Sequence, residues 1–251
     1  MTEPIIIIPA RMAAERLPGK PLVDIAGLPL IVHVWRRAQE AGLGPVVVAT
    51  DTAEIARAVE AAGGSAIMTR ADLASGSDRV FEAVTAADRD GRHDVVINLQ
   101  GDMPDMAPQT LRAATVPLAD PAVDIGTAAT ATADPRLAAD PNLVKVIGTQ
   151  VGANRLRALY FTRGLAPWGQ GDLLLHIGVY AFRRSALTRF AALPPSPLEK
   201  RERLEQLRAL EAGMRIDVAL VDAMPIGVDT PVDLQRARAC FEARTSGKRE
   251  S

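Results

Sequence analysis

Asp94-Val95-Val96-Ile97-Asn98-Leu99-Gln100-Gly101-Asp102 is the stretch whose reading decides the fold. The run from Asp94 to Leu99 is short and apolar, the pattern of a strand covered on both faces. It leaves through Gln100-Gly101 into a carboxylate, Asp102, and open α/β sheets bind ligands at the carboxyl ends of their strands. Outward from this stretch the pattern recurs. Pro4 to Pro9 is apolar throughout, Pro45 to Thr50 reads as a second buried strand, and Ser65 to Met68 as a short third. Helices are predicted between them, at Leu28 to Ala41, from Asp51 to about Ala62, and at Ser77 to Ala87. Asp51 reads as the cap of the second, with Glu54 closing a capping box and Gly63-Gly64 ending the helix. Such alternation is the signature of an α/β sheet with parallel strands.

The second half differs. Ile125 to Thr132, Leu143 to Gly148, His176 to Phe182 and Ile216 to Val221 read as strands, but not all have helices between them, so a mixed sheet is expected. Ser196-Pro197-Leu198-Glu199 is a helix start with Ser as cap, Pro at the first helical position and Glu closing the box. That helix is predicted to run to about Ala212, and a last one from Thr230-Pro231 through Arg244. No repeat or low-complexity linker divides the chain, so a single domain over 1–244 is expected, followed by a disordered polar tail at 245–251.

The 251 residues are 48% apolar and 24% charged, the composition of a globular chain. Lys plus Arg number 29 against 30 Asp plus Glu, a net charge of −1, which gives no global field for nucleic acid or an anionic bilayer. Aromatic residues are 4%, too few for a base-stacking platform. The single cysteine, Cys240, excludes an internal disulfide framework and a cysteine-ligated zinc site, and a cytoplasmic location is expected. The apolar runs are far shorter than the roughly 20 residues that span a bilayer, and the first residues lack the basic and apolar regions of a signal peptide.

Cations crowd the loop after the first strand, where Arg11, Arg16 and Lys20 fall within ten residues around Gly19. Guanidinium forks and an ammonium suit phosphate oxygens, so the loop reads as a triphosphate cradle or equally as a solvated surface loop. It has neither the P-loop nor the Rossmann glycine pattern. Asp102 reads as a Mg²⁺ ligand or as a turn aspartate, and Asp229 as a second ligand or as part of the cap with Thr230. Ser75-Gly76-Ser77-Asp78-Arg79 opens a helix whose N–H groups could meet a base edge or phosphate, or is ordinary capping by Ser77. His176 and Tyr180 share one face of a predicted strand, whereas Glu205 and Gln206 are adjacent on a helix and cannot point the same way. The three histidines are scattered and there is no G-x-S-x-G elbow, so neither a triad nor a zinc site is supported.

These segments together resemble the 3-deoxy-manno-octulosonate (KDO) cytidylyltransferase family. The pieces are PAR-x4-RLPGKPL (9–22), VVVATD (46–51), EAAGG (60–64), MTRAD-x2-SGSDR (68–79), NLQGD (98–102), NLVKV (142–146), ALYFTR (158–163), HIGVYAFR (176–183), PSPLE (195–199), LEQLRALEAG (204–213) and GVDTPVDL (227–234). The resemblance implies an α/β nucleotidyltransferase-type, Rossmann-like fold, with a mixed, mostly parallel sheet and helices on both faces. It implies a homodimer that uses CTP, Mg²⁺ and KDO to make CMP-KDO and pyrophosphate for lipopolysaccharide synthesis. By the same resemblance Arg11 and Lys20 clamp the triphosphate with Arg16 in support, and Asp102 and Asp229 hold magnesium. Ser75 and Arg79 belong to the nucleotide pocket, and Gln100, Arg163, His176, Tyr180, Glu205 and Gln206 to the sugar acid. The motifs leave KDO and an 8-amino analogue undistinguished. Two positions depart from the family pattern: Met103 stands where an acidic residue commonly follows the metal aspartate, and Val232 replaces a glutamate.

Overall fold

The computed structural model describes residues 3–13 and 16–247. The chain, expected as one domain, divides into two compact units built from discontinuous stretches. One holds the residues up to His93, Asn98–Pro108 and everything from Pro225; the other holds Asp94–Ile97 and Gln109–Met224.

The first unit begins with β1 (Ile5–Ala10), whose four isoleucines are buried, as an all-apolar strand requires. A two-stranded ribbon, β2 (Asp24–Ile25) and β3 (Leu28–Pro29), precedes α1 (Leu30–Glu40). The helix therefore starts two residues later than expected. Ala26 and Gly27 turn the ribbon at φ 50° and 85°, and Leu28-Pro29 pair back on Asp24-Ile25 before the helix can begin. Then follow β4 (Val46–Thr50), α2 (Ala53–Ala61), β5 (Ser65–Met68) and α3 (Gly76–Ala87). β4 pairs in parallel with β1 and with β5. Two cap expectations are corrected. Thr52, not Asp51, caps α2, because the Asp51 carboxylate is taken by Arg79 at 2.8 Å. Ser75, not Ser77, caps α3, its hydroxyl oxygen accepting the Asp78 N–H at 3.1 Å. β6 (Val95–Leu99) is shared between the units, Asn98 and Leu99 belonging to this one.

The second unit contains α4 (Pro108–Thr115), β7 (Ile125–Thr132), α5 (Pro135–Ala139), β8 (Lys145–Gly152), β9 (Arg155–Thr162), β10 (Leu173–Arg183), α6 (Arg184–Ala191), α7 (Pro197–Glu202), α8 (Gln206–Glu211) and β11 (Ile216–Leu220). β7 pairs antiparallel with β10 and parallel with β11, and β9 pairs antiparallel with both β11 and β8. This is the mixed half that the missing helices foretold. β9 was not expected, since its Arg155 and Arg157 interrupt the apolar pattern. The helix expected from Pro197 to Ala212 is broken: Arg203 adopts a left-handed conformation (φ 56°) and separates α7 from α8. The first unit closes with α9 (Pro231–Gly247); the tail expected from 245 is thus helical to Gly247, and its remainder lies outside the described residues.

The capping box at Ser196 forms, with Glu199 accepting the Ser196 N–H at 2.9 Å. The same buried carboxylate pairs with Arg208, whose Nε donates at 2.8 Å and whose guanidinium lies 4.8 Å from the Phe190 ring centre. Burial alone would raise the Glu199 carboxyl, but the Arg208 hydrogen bond and the Ser196 N–H hold it below its ordinary 4.5. Glu199→Ala, which removes the carboxylate facing a buried guanidinium, is expected to lower the unfolding free energy by about 3–5 kcal/mol in urea titrations at neutral pH. A depressed carboxyl stabilises fully above its unfolded value and less as pH falls through the folded one. The stability gap between wild type and Glu199→Gln should therefore narrow below about pH 4.5.

Candidate active site

Three segments of the first unit converge on one ammonium group. Gly19, at φ 69°, turns the loop that follows β1, and the Lys20 N–H donates to the Leu17 carbonyl at 3.1 Å, opening a short 3₁₀ turn with Pro21 buried behind it. Where β6 ends, Gly101 passes close to β1: a Cβ there would lie 2.9 Å from the Pro9 carbonyl oxygen, so no larger residue fits. Asp102 follows directly. The third segment is a strap ahead of α9. Its Val228 N–H donates to the Asp102 carbonyl at 2.9 Å and its Ile226 N–H to the Asp105 carboxylate at 2.8 Å. Asp229 is not the helix cap. Thr230 is, exchanging hydrogen bonds with Asp233, whose carboxylate takes the Thr230 N–H at 3.0 Å while the Asp233 N–H meets the Thr230 hydroxyl at 3.2 Å. The Asp229 side chain thereby remains available to the cations.

Lys20 Nζ donates to Asp102 at 3.0 Å and to Asp229 at 2.9 Å, and Arg16 pairs with Asp229 at 3.1 Å. Burial lowers the Lys20 pKa, but the charge of Asp102 and the hydrogen bond to Asp229 more than reverse that, leaving it above the ordinary 10.5 and the ammonium charged. Two carboxylates sharing one ammonium are neighbours, and such hard oxygens fit Mg²⁺, which takes one or two carboxylates and completes its shell with water and phosphate oxygens. No group of three or more His, Cys, Asp or Glu side chains is placed to hold a metal among the described residues. Arg11 is exposed, without an ion pair among the described residues.

The other expected residues fall into two groups. In the first unit, Gln100 donates to Asn98 at 3.1 Å. Arg79 is 3% exposed and turns inward to Asp51, Thr69 and the Arg70 carbonyl, so it braces the start of α3 beside Ser75. In the second unit, His176 is buried against Phe161 and Tyr180, with ring centres 5.0 and 5.3 Å away. Burial pushes its pKa down to about 3, so it is neutral at ordinary pH. The Thr127 hydroxyl donates to the Val179 carbonyl at 2.6 Å, so His176 Nε2–H donates to Thr127 at 2.9 Å and Nδ1 keeps its lone pair. Burial first, and then the Glu205 charge, raise the Tyr180 hydroxyl pKa. Gln206 is buried at the start of α8. Sequence reasoning gave no part in this region to Asp51, which holds Arg79, or to Asp105, which holds the Asp229 strap. Asp51 carried a signal, since it follows β4 as Asp102 follows the strand it leaves.

A family model described as cytidylyltransferase matches residues 5–216. The 3-deoxy-manno-octulosonate cytidylyltransferase of Methylobacterium radiotolerans is 66% identical over 97% of this chain and 99% of its own. The chain belongs to the 3-deoxy-manno-octulosonate cytidylyltransferase family. A second member, from Rhodopseudomonas palustris, is 64% identical over 94% of this chain and 97% of its own. Among solved structures, a CMP:2-keto-3-deoxy-manno-octonic acid synthetase complexed with CTP has a TM-score of 0.87 at 41% identity, covering 97% of this chain and all of that one. The nucleotidyltransferase fold class read from the motifs is therefore borne out. In this member of the family Met103 is buried, and the nearby carboxylate that ties the Asp229 strap is Asp105.

Burial raises the Asp105 carboxyl above its ordinary 3.8, outweighing the Ile226 N–H and the Arg244 charge. A raised carboxyl stabilises below its unfolded pKa and loses that contribution as pH rises through the folded one. Asp105→Asn, which keeps an oxygen for Ile226, should therefore melt no lower than wild type at about pH 8. Asp105→Ala, which strands that N–H, should cost about 1–3 kcal/mol in the same melts.

Proposed function

We propose that this chain transfers CMP from CTP to the anomeric hydroxyl of 3-deoxy-manno-octulosonate, releasing pyrophosphate and supplying CMP-KDO for lipopolysaccharide synthesis in the cytoplasm. The observation that carries this reading is Lys20 held between Asp102 and Asp229, with Arg16 beside them. The hydroxyl oxygen forms a bond to the α-phosphorus in line with the bridging oxygen that departs with pyrophosphate, and the hydroxyl proton passes to solvent. Such transfer asks little covalent help of a protein; positioning and charge neutralisation carry it. Lys20 and Arg11, with Arg16 in support, meet charge growing on the leaving pyrophosphate. Ser75 shapes the nucleotide pocket through the start of α3, and Arg79 does so by holding that helix to Asp51. Asp102 and Asp229 are the residues that would hold Mg²⁺, which when bound neutralises phosphate charge and acidifies the attacking hydroxyl. Gln100, Arg163, His176, Tyr180, Glu205 and Gln206 are assigned to the sugar acid. His176 serves as a neutral hydrogen-bond partner, since burial lowers its pKa to about 3.

A homodimer is part of the same proposal. Leu159, Leu165 and Trp168 are exposed, the tryptophan fully, and apolar side chains left in water along one stretch of chain favour a protein partner.

Pyrophosphate release should require CTP, KDO and Mg²⁺ together. Asp102→Ala and Lys20→Ala should each lower kcat at least about 100-fold; Lys20→Ala should also melt below wild type, because it leaves two neighbouring carboxylates without their shared cation. Normal turnover by Asp102→Ala would remove the metal assignment, and tight CTP binding without turnover would make the chain a nucleotide sensor. Light scattering at micromolar concentration should return twice the chain mass, and a monomer mass would dismiss the dimer.

A further inference from the structure

Arg163 is assigned to the acceptor as a cation, yet its donors turn to the main chain. Nε donates to the Glu202 carbonyl at 2.9 Å, one Nη to the Pro141 carbonyl at 3.0 Å, and the other to the Arg203 carbonyl at 3.5 Å. Its own peptide groups are gripped as well. The Arg163 N–H donates to the Glu202 carboxylate at 2.9 Å, and the Arg163 carbonyl accepts from Lys145 Nζ at 2.9 Å. The same carboxylate takes the Thr162 hydroxyl at 2.8 Å. Lys145 is fully buried and donates to two further carbonyls, Leu143 at 2.8 Å and Asp140 at 3.0 Å. This network stands at the break in the helix pair. Arg203 is left-handed there, the Leu204 N–H reaches back to the Glu199 carbonyl at 3.2 Å, and Glu205 stands at the N-cap of α8.

We infer that Glu202 and Lys145 are positioning residues for the acceptor. They clamp the main chain of Arg163, and Arg163 then pins the Glu202 and Arg203 carbonyls, so that Glu205 and Gln206 stand in place. The inference rests on the assignment of Glu205 and Gln206 to the sugar acid. On this account Arg163 is a strut whose planar fork matters more than its charge. A lysine keeps the charge, but its single ammonium lacks the spread of a guanidinium whose Nε and two Nη each reach a separate carbonyl. Glu202 matters as an acceptor of three donors at once, the Arg163 N–H, the Thr162 hydroxyl and, at 3.5 Å, the Tyr160 hydroxyl, and a glutamine offers only one oxygen in its place.

The test is steady-state kinetics on Glu202→Gln and Arg163→Lys, with hydrogen exchange on the same ligand-free chains. Both variants should raise the KM for KDO about tenfold, the size expected for a lost hydrogen bond to a charged group, while kcat and the KM for CTP stay within about twofold. The amides of 204–208 should exchange about tenfold faster, with the other helices unchanged. An unchanged KM for KDO in Glu202→Gln overturns the inference. So does a wild-type KM in Arg163→Lys, which would make charge alone the requirement, and so does an equal loss for both substrates with a lower melting temperature, which would make the network merely structural. Should the wild-type chain be inert toward KDO, the proposed reaction fails by itself, and unchanged exchange at 204–208 then decides against the clamp.

Discussion

One ammonium between two carboxylates is the constraint on which the first unit depends. Lys20 reaches partners 82 and 209 residues away in the chain. Two like charges this close repel unless a cation stands between them, so the ammonium draws the three segments together. Main-chain features secure the arrival. Gly101 permits the close approach to Pro9, and the Val228 N–H ties the Asp229 strap to the Asp102 carbonyl. Asp105 fastens the strap upstream, and the Thr230–Asp233 exchange fastens it downstream, so the Asp229 carboxylate is held from both sides.

The second unit solves a different problem with other means. A charge taken out of water must be compensated by hydrogen bonds or an opposite charge. Lys145 finds three carbonyls, and Arg183 finds those of Leu118, Asp120 and Val123. Arg208 finds Glu199, and the fully buried Asp217 finds Arg215 at 2.9 and 3.0 Å. These ties join loops to strands where no apolar side chain could specify direction. They also explain why the helix after Pro197 breaks. Unbroken, it would not hold its Glu202 carboxylate at Thr162 while offering the Glu202 and Arg203 carbonyls to Arg163.

Much of the architecture was legible. β1, β4 and β6 stand out as uninterrupted apolar runs because both faces are covered, and the Ser196 box is legible because its two hydrogen bonds close within four residues. Asp51 looked like an equally good cap, but a guanidinium 28 positions away outbid the local N–H groups. β9 was obscured by its arginines, one of which, Arg155, serves Asp217 across the sheet at 3.5 Å. The site was half legible. Lys20, Asp102 and Asp229 stood out as charges at strand and loop ends, but that the three meet in space was not readable from their separate segments. Glu202 bore no signal and Lys145 only its place in NLVKV, since nothing nearby in sequence marks a carboxylate or amine that will serve the backbone of Arg163.

By itself the amino-acid sequence determined the alternation of strands and helices, the places where chains turn, and the kinds of charge gathered at strand ends. These follow from periodicity and from hydrogen bonds that close within a turn. Tertiary structure alone decided which carboxylate meets which cation, where the helix after Pro197 breaks, and whether Arg163 faces solvent or carbonyls. Those outcomes are competitions between local and distant partners for the same donors, and a window of sequence contains only the local contestants.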